Sequence, residues 1–203
     1  MGKLISLSGV DNSGKSTQSR LLLKYWKEKK KKVKATEFAF GYFLLKPFIG
    51  FLRKATDSPK TGPVKRNNNP LFKLWFIPAF FDIWIGYFLH LRKLKNKYDL
   101  VLCDRFYTDI WVNLLYYGYL PNWAFNTFVK LLPRADIPLL LSTTPERALK
   151  REREFTETYY EDQIKIYQRL GKQINIYIVD ANKSETHTFK QIISYIENHE
   201  NIA

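Results

Sequence analysis

The stretch Ser8-Gly9-Val10-Asp11-Asn12-Ser13-Gly14-Lys15-Ser16-Thr17 decides the fold of this 203-residue chain. From Gly9 to Ser16 it fits the pattern GxxxxGK[ST] at every position, and it follows an apolar segment and precedes a segment of helical character. A strand, a glycine-rich turn and a helix start in this order form a cradle of backbone amides for phosphate oxygens. The pattern predicts a nucleoside triphosphate site, with Lys15 on the β- and γ-phosphates, Ser16 on magnesium and Thr17 near the α-phosphate.

Apolar runs of strand length alternate with longer helical segments along the chain. Strands are predicted at residues 3–8, 33–38, 100–103, 137–142 and 174–179. We therefore expect an α/β, three-layer P-loop NTPase fold with a five-stranded parallel sheet flanked by helices. Helices are predicted at 40–54 and at 71–95, the latter kinked or broken near Pro78, with a loop over 57–70. No repeat or linker divides the sequence, so a single domain over 1–203 is expected.

The composition is strongly basic without being that of a disordered tail. Lys and Arg number 33 against 19 Asp and Glu, a net charge of +14, while 45% of the residues are hydrophobic. Cys103 is the single cysteine, which excludes an intrachain disulfide and a cysteine-based zinc cluster. The charge indicates polyanionic partners, and nucleic acid, an anionic membrane and phosphorylated small molecules all stay open. Much of the positive charge falls in the run Lys27–Lys34, whose role the sequence leaves open.

The apolar stretch Leu74–Leu91 has the length of a membrane-spanning segment. Pro78 and Asp82 lie near its middle, and a carboxylate there is costly in lipid. We therefore expect a helix largely buried in protein. The N-terminal apolar segment is too short for a signal peptide, and a cytoplasmic protein is predicted.

Two further segments carry charges where a phosphate-loop protein needs them. Asp104 and Arg105 directly follow the strand at 100–103, so Asp104 is expected beside the loop, holding magnesium through water, with Arg105 directed at phosphate. After the next strand, Arg147 and Arg151 are four residues apart and share a helix face. Cations on such a helix suit a lid that closes over a phosphoryl group.

Taken together, these segments resemble the thymidylate kinase family of nucleoside monophosphate kinases. The resemblance rests on SGVDNSGKSTQSRLL (8–22), VLCDRFYTD (101–109) and TTPERALKRERE (143–154), with Tyr167 and residues 180–182 similar to the family's tail. It implies transfer of phosphate from ATP to dTMP, giving dTDP and ADP, with Mg²⁺ as cofactor. It also implies an acceptor-binding region at about 36–95, a lid at about 144–160, and a homodimer, for which helices around Phe81 and Trp111 could supply the interface.

The resemblance also implies the site residues. The loop from Gly9 to Thr17 would bind the nucleotide through Gly9, Val10, Asp11, Asn12, Ser13, Gly14, Lys15, Ser16 and Thr17. Some relatives carry an arginine within this loop, whereas this chain has Asn12 and Ser13, so the catalytic cations would be Lys15, Arg105, Arg147, Arg151 and Arg153. The acceptor would contact Asp11, Glu37, Phe76, Asp104 and Arg105, with Phe80 or Tyr107 as further aromatic walls. Magnesium would be held by Ser16 and Asp104.

Two other functions stay open at this point. Glu37 follows the second strand, where deoxynucleoside kinases place a general base for a sugar hydroxyl, and several acceptor-reading positions of the thymidylate kinases are altered here. The third reading is a non-catalytic nucleotide-binding protein that uses the basic segment Lys24–Lys34 on nucleic acid or anionic lipid.

Overall fold

A single parallel sheet forms the centre of the molecule. The computed structural model describes residues 1–38, 45, 50, 54, 70–151 and 155–199. The strands are β1 (Lys3–Ser8), β2 (Val33–Glu37), β3 (Leu100–Asp104), β4 (Ile137–Ser142) and β5 (Tyr177–Asp180). They pair in parallel in the order β2-β3-β1-β4-β5, which confirms the predicted five-stranded sheet. The predicted helix at 40–54 and loop at 57–70 lie almost entirely outside the described residues.

Helices cover both faces of this sheet. In chain order they are α1 (Lys15–Glu28), α2 (Phe76–Gly86), α3 (Arg92–Lys97), α4 (Tyr107–Tyr116), α5 (Asn122–Phe128), α6 (Pro145–Arg151), α7 (Glu157–Gly171) and α8 (Glu185–His199). Each predicted crossover thus has its helix, and residues 117–121 separate α4 from α5.

The alternation of β1 explains the two cores. Leu4 lies in an apolar cluster with residues of α2, α4 and α7, whereas its neighbour Ile5 lies in a second cluster with Leu22 of α1 and Ile196 of α8. Because successive side chains of a strand point to opposite faces, one apolar run fills both layers. The sheet is therefore held from both sides, and its carboxyl-terminal edge is fixed in position.

The helix that follows the undescribed segment differs from the prediction. Pro70–Trp75 is a 3-10 helix, α2 begins at Phe76, and Pro78 is therefore the third residue of α2. The change from 3-10 to α helix lies near Pro78, where the sequence predicts a kink or break, and the chain stays helical through it. A second irregularity, which the sequence did not predict, is a π-helical segment at Tyr87–Leu91 before α3.

This helical region is also less buried than predicted. Leu74, Phe81 and Phe88 are 53%, 60% and 46% exposed, and only 33% of the most apolar 18-residue window is buried. By length and composition Pro70–Lys97 is the one helix among the described residues that could cross a membrane, which alone is weak evidence. Asp82 faces the protein, where it is 3% exposed and accepts a hydrogen bond from the Leu45 amide.

Candidate nucleotide and acceptor site

The loop between β1 and α1 has the backbone that a phosphate cradle needs. Gly9, Asn12 and Gly14 have φ angles of 142°, 64° and 99°, which L side chains other than Asn and Asp rarely adopt. At Gly9 a Cβ atom would lie 2.6 Å from the Leu141 carbonyl oxygen of β4. The first glycine therefore serves both the turn and the close approach of the loop to the sheet.

Lys15 lies folded against this loop. Its side chain is 4% exposed, and its Nζ donates hydrogen bonds to the carbonyl oxygens of Gly9 at 2.8 Å and Val10 at 2.7 Å. Burial, followed by the charge of Arg105, holds the pKa of Lys15 below its ordinary value. The next residue, Ser16, is exposed in the first turn of α1. The cation and the hydroxyl thus lie together at the N-terminus of a 14-residue helix.

Asp104 ends β3 beside the loop, as predicted. In the register of the sheet it lies between Leu7 of β1 and Glu37 of β2. Its Oδ1 is buried and has no hydrogen-bond partner among the residues that the structure describes. A buried carboxylate oxygen without a donor suits a hard cation, and together with the Ser16 hydroxyl it forms an oxygen donor set that fits Mg²⁺.

Arg105 and Asp11 form an ion pair at the entrance to the loop. Nη2 of Arg105 lies 2.5 Å from Oδ1 of Asp11, and its Nε lies 3.8 Å from Oε1 of Glu37. Arg105 has a φ of 65°, and its amide donates to the Leu7 carbonyl, so the side chain leaves the strand end in a fixed direction. Burial alone would lower the pKa of Arg105, but Asp11, with Asp109 and Tyr167, more than offsets this and the pKa is raised. Tyr159 of α7 donates to Oδ2 of Asp11 at 3.1 Å.

The predicted lid arginines are not all brought to the loop. In the structure, Arg147 of α6 donates to the carbonyl oxygens of Asn182 and Lys183, after β5. Arg151 is the last residue of α6, and Arg153 lies outside the described residues. Arg147 is therefore held on the side of the segment 180–182 and away from the Asp11–Arg105 pair.

The aromatic residues predicted to contact the acceptor lie in the core. Phe76 is 2% exposed and packs against Trp111, Trp123 and Phe128, so its predicted contact with a base is not supported by the structure. Tyr107 is fully buried. These rings were selected by residue type and helix position, and such aromatics fill the interior far more often than they line a pocket.

Residues of α7 approach the loop in a way that the sequence did not reveal. Tyr160 accepts a hydrogen bond from Nδ2 of Asn12, next to the contact of Tyr159 with Asp11. Beneath the loop, Asp109 of α4 accepts hydrogen bonds from Gly9 and Tyr167. The three tyrosines are about 150 residues beyond the loop, a separation at which no local pattern predicts contact. An acidic residue in the first turn of α4 was the only signal for Asp109.

The basic run lies elsewhere. Lys29 pairs with Glu197 at 2.8 Å, and Nζ of Lys32 lies 5.5 Å from the centre of the Tyr98 ring. These contacts occur where α1 ends and β2 and β3 begin, whereas the phosphate loop follows the carboxyl end of β1. The run Lys27–Lys34 is thus at the opposite end of the sheet from the site.

Comparison with known proteins points to one class. No family model matches the chain. "Probable thymidylate kinase 1" of Saccharolobus solfataricus is 28% identical over 97% of this chain and 98% of its own, and "Probable thymidylate kinase" of Sulfurisphaera tokodaii is 27% identical over 95% of each. Among solved structures, thymidylate kinase from Ehrlichia chaffeensis has a TM-score of 0.62 at 18% identity, covering 96% of this chain and 98% of its own. Deoxyadenosine kinase from M. mycoides with bound dATP has a TM-score of 0.57 at 17% identity, covering 96% and 99%.

The sheet and the loop define a P-loop fold of the three-layer α/β class. The two archaeal relatives match nearly from end to end. Over nearly its whole length the chain is therefore similar to proteins named thymidylate kinase.

Proposed function

We propose that this chain is an ATP-dependent nucleoside monophosphate kinase that converts dTMP and ATP to dTDP and ADP. One P-loop kinase domain spans residues 1–203, with an acceptor region at about 36–95 and a lid at about 144–160. The observation that carries the proposal is the Asp11–Arg105 pair beside a complete phosphate loop. A cation next to a carboxylate suits an acceptor that offers both a phosphate and a sugar hydroxyl.

The loop residues have distinct parts in the proposed transfer. When ATP binds, Lys15 leaves the carbonyls of Gly9 and Val10 and donates to the β- and γ-phosphates. Ser16 and Asp104 would hold Mg²⁺, which neutralises phosphate charge when bound. Arg105 binds the phosphate of the acceptor, and Asp11 accepts from its sugar hydroxyl. Phosphoryl transfer to an acceptor phosphate requires positioning and neutralised charge rather than a base. These side chains supply both kinds of interaction.

The lid supplies the remaining cations in this proposal. Arg147 is engaged by two backbone carbonyls, so we assign the cations that approach the transferred group to Arg151 and Arg153. Glu37 lies near Arg105, where it orients the guanidinium for the acceptor phosphate. In the deoxynucleoside kinase alternative, the same carboxylate would deprotonate a sugar hydroxyl, and the acceptor would carry no phosphate.

The partners follow from this chemistry. The small-molecule partner is a nucleotide, and because charged nucleotides do not cross membranes unaided, we propose a cytoplasmic location.

A homodimer is proposed through the exposed apolar stripe of the helical region at 70–97, formed by Leu71, Leu74, Ile77, Phe81, Phe88 and Leu89. The first four recur every three or four residues, Phe88 follows Phe81 by two helical turns, and all six are uncharged, which suits a second copy of the same surface. Trp111 cannot take part, because it is completely buried.

A coupled turnover assay tests the proposal. ATP is offered with each deoxynucleoside monophosphate and with each deoxynucleoside, and phosphorylation of dTMP in preference to the other acceptors is expected. Lys15→Ala should lower kcat by about 100-fold or more, as loss of a transition-state donor does. Lys27→Ala, at an exposed position of the same helix, is the matched control. Phosphorylation of nucleosides alone, lost in Glu37→Gln, would establish the alternative; undiminished turnover in Lys15→Ala would overturn the scheme.

A further inference from the structure

The buried carboxylate beneath the phosphate loop has no part in the transfer described above. Asp109 is the third residue of α4 and is 1% exposed. An ionised carboxylate at such depth is retained only where hydrogen-bond donors replace its water. The donors around Asp109 show what this side chain is holding.

Four donors from four parts of the chain meet at this one side chain. Oδ2 accepts from the Ser8 hydroxyl at 2.8 Å and from the Phe106 amide at 2.8 Å. Oδ1 accepts from the Gly9 amide at 3.1 Å and from the Tyr167 hydroxyl at 2.6 Å. Asp109 thereby joins the end of β1, the first residue of the phosphate loop, the start of α4 and the middle of α7.

Helix capping explains only one of these bonds. A carboxylate in the first turn commonly accepts from the amide of the residue before its helix, and here that amide belongs to Phe106. The bonds from Gly9 and Tyr167 bridge about 100 and 58 residues and contribute nothing to the end of α4. The cap uses Oδ2 alone, so the bonds to the second oxygen of Asp109 require another explanation.

Tyr167 extends this connection to the helix that follows the predicted lid. α7 contacts the loop directly through Tyr159 and Tyr160, and through Tyr167 it contacts Asp109, which accepts from Gly9. Burial, together with the charge of Asp109 and the hydrogen bond to it, raises the pKa of Tyr167 well above its ordinary value. Tyr167 therefore keeps its proton and remains a donor to the carboxylate.

We propose that Asp109 is a positioning residue that fixes the first amide of the phosphate loop and ties it, through Tyr167, to α7, the helix that follows the predicted lid. The inference rests on the proposed function, since it concerns the nucleotide bound by that loop. Asp109 acts through Gly9 and α7 and does not touch the nucleotide. Loss of the link lets the loop relax from the shape that cradles phosphate, which weakens nucleotide binding more than it slows the chemical step.

Two variants of the link and one control test this proposal. Asp109→Ser removes both carboxylate oxygens, so its single hydroxyl cannot hold Gly9 and Tyr167 at once. Tyr167→Phe removes a single hydroxyl and keeps the ring. The control is Tyr25→Phe, which removes a bond of the same type and length, from Tyr25 to Glu197 at 2.6 Å, on the exposed side of α1. ADP with Mg²⁺ is titrated into each folded variant by calorimetry, and KM for ATP and kcat are measured in parallel.

A distinct pattern is expected. The Kd for ADP and the KM for ATP should rise about 10-fold in Asp109→Ser, equivalent to 1.4 kcal/mol, and about 3-fold in Tyr167→Phe, with smaller changes in kcat. In the double variant, the loss of ADP binding free energy should not exceed the sum of the losses in the two single variants, because both residues belong to one hydrogen-bond network. Tyr25→Phe should bind like the wild type.

The other outcomes are equally informative. Wild-type Kd and KM in Tyr167→Phe and in Asp109→Ser, with only the melting temperature lowered, would make Asp109 a helix cap and overturn the proposal. If Asp109→Ser does not fold, Tyr167→Phe decides alone. A wild-type chain that binds ADP but does not phosphorylate dTMP would refute the proposed acceptor and leave this test intact. A chain that binds no nucleotide would overturn both.

Discussion

Replacing Gly9 with alanine tests whether the loop depends on its backbone as well as on its charges. At a φ of 142° the new side chain would be strained, and its Cβ would lie 2.6 Å from the Leu141 carbonyl oxygen and 3.0 Å from Oγ of Ser13. The first of these neighbours is backbone of a central strand and cannot move aside cheaply. Strain of about 1–3 kcal/mol and overpacking of about 1–3 kcal/mol together give a destabilisation of about 2–6 kcal/mol.

Thermal unfolding and ADP calorimetry measure this effect. For a domain of this size each kcal/mol lowers the melting temperature by about 2–4 °C, so a decrease of about 4–24 °C is expected, or a smaller decrease with lost ADP affinity if the loop shifts instead. The matched control is Gly171→Ala, whose Cβ would make ordinary contacts at 3.7 Å with Ile176 and Ile178. Wild-type melting temperature together with wild-type ADP affinity in Gly9→Ala would refute the reasoning.

Three further predictions concern charge and surface. Arg105→Gln should raise KM for dTMP by about 10–100-fold while changing KM for ATP less, since a hydrogen bond to a charged group is lost at the acceptor; equal effects on both substrates would contradict the assignment. Lys15 has a lowered pKa in the folded protein, so between that pKa and 10.5 its titration makes the unfolded chain bind more protons and contributes a rise of stability with pH; urea unfolding should show a more positive slope in the wild type than in Lys15→Met. Phe81→Ser should shift light scattering from a dimer toward a monomer, whereas Ile178→Ser, at a 51% exposed position of β5, should not; a wild-type monomer would contradict the proposed interface.

The strands and the phosphate loop could be predicted from the sequence because their signals are local. Apolar runs such as Lys3–Ser8 specify a strand buried on both faces, and the spacing of Gly9, Gly14 and Lys15 specifies the turn and the helix start. The position of Asp104 followed as well, because the carboxyl ends of parallel strands meet at one edge of the sheet.

What could not be predicted depends on contacts between distant segments. Phe76 was expected in a pocket, but the fold turns its ring toward Trp111 and Trp123, whose positions no local pattern gives. A kink or break was expected near Pro78, where the helix changes from 3-10 to α, but the π-helical segment at Tyr87–Leu91 had no local signal. For Asp109, the sequence indicates a helix start but gives no sign of the two hydrogen bonds that Gly9, after β1, and Tyr167 of α7 donate to it.

The two ends of the sheet divide the positive charge of the chain into groups with different physical properties. At the carboxyl end, Lys15 and Arg105 are largely buried, and anions of the protein itself, Asp11 and Asp109 among them, surround them. At the amino end, the lysines around Lys29 are exposed, and salt screens such charges effectively. A nucleotide phosphate that enters the loop meets cations whose geometry is already fixed, so little ordering is needed when it binds. The net charge of +14 is therefore a poor guide to the site. Lys15 and Arg105, which are proposed to act on phosphate, are already partly neutralised by neighbouring carboxylates before the substrate binds.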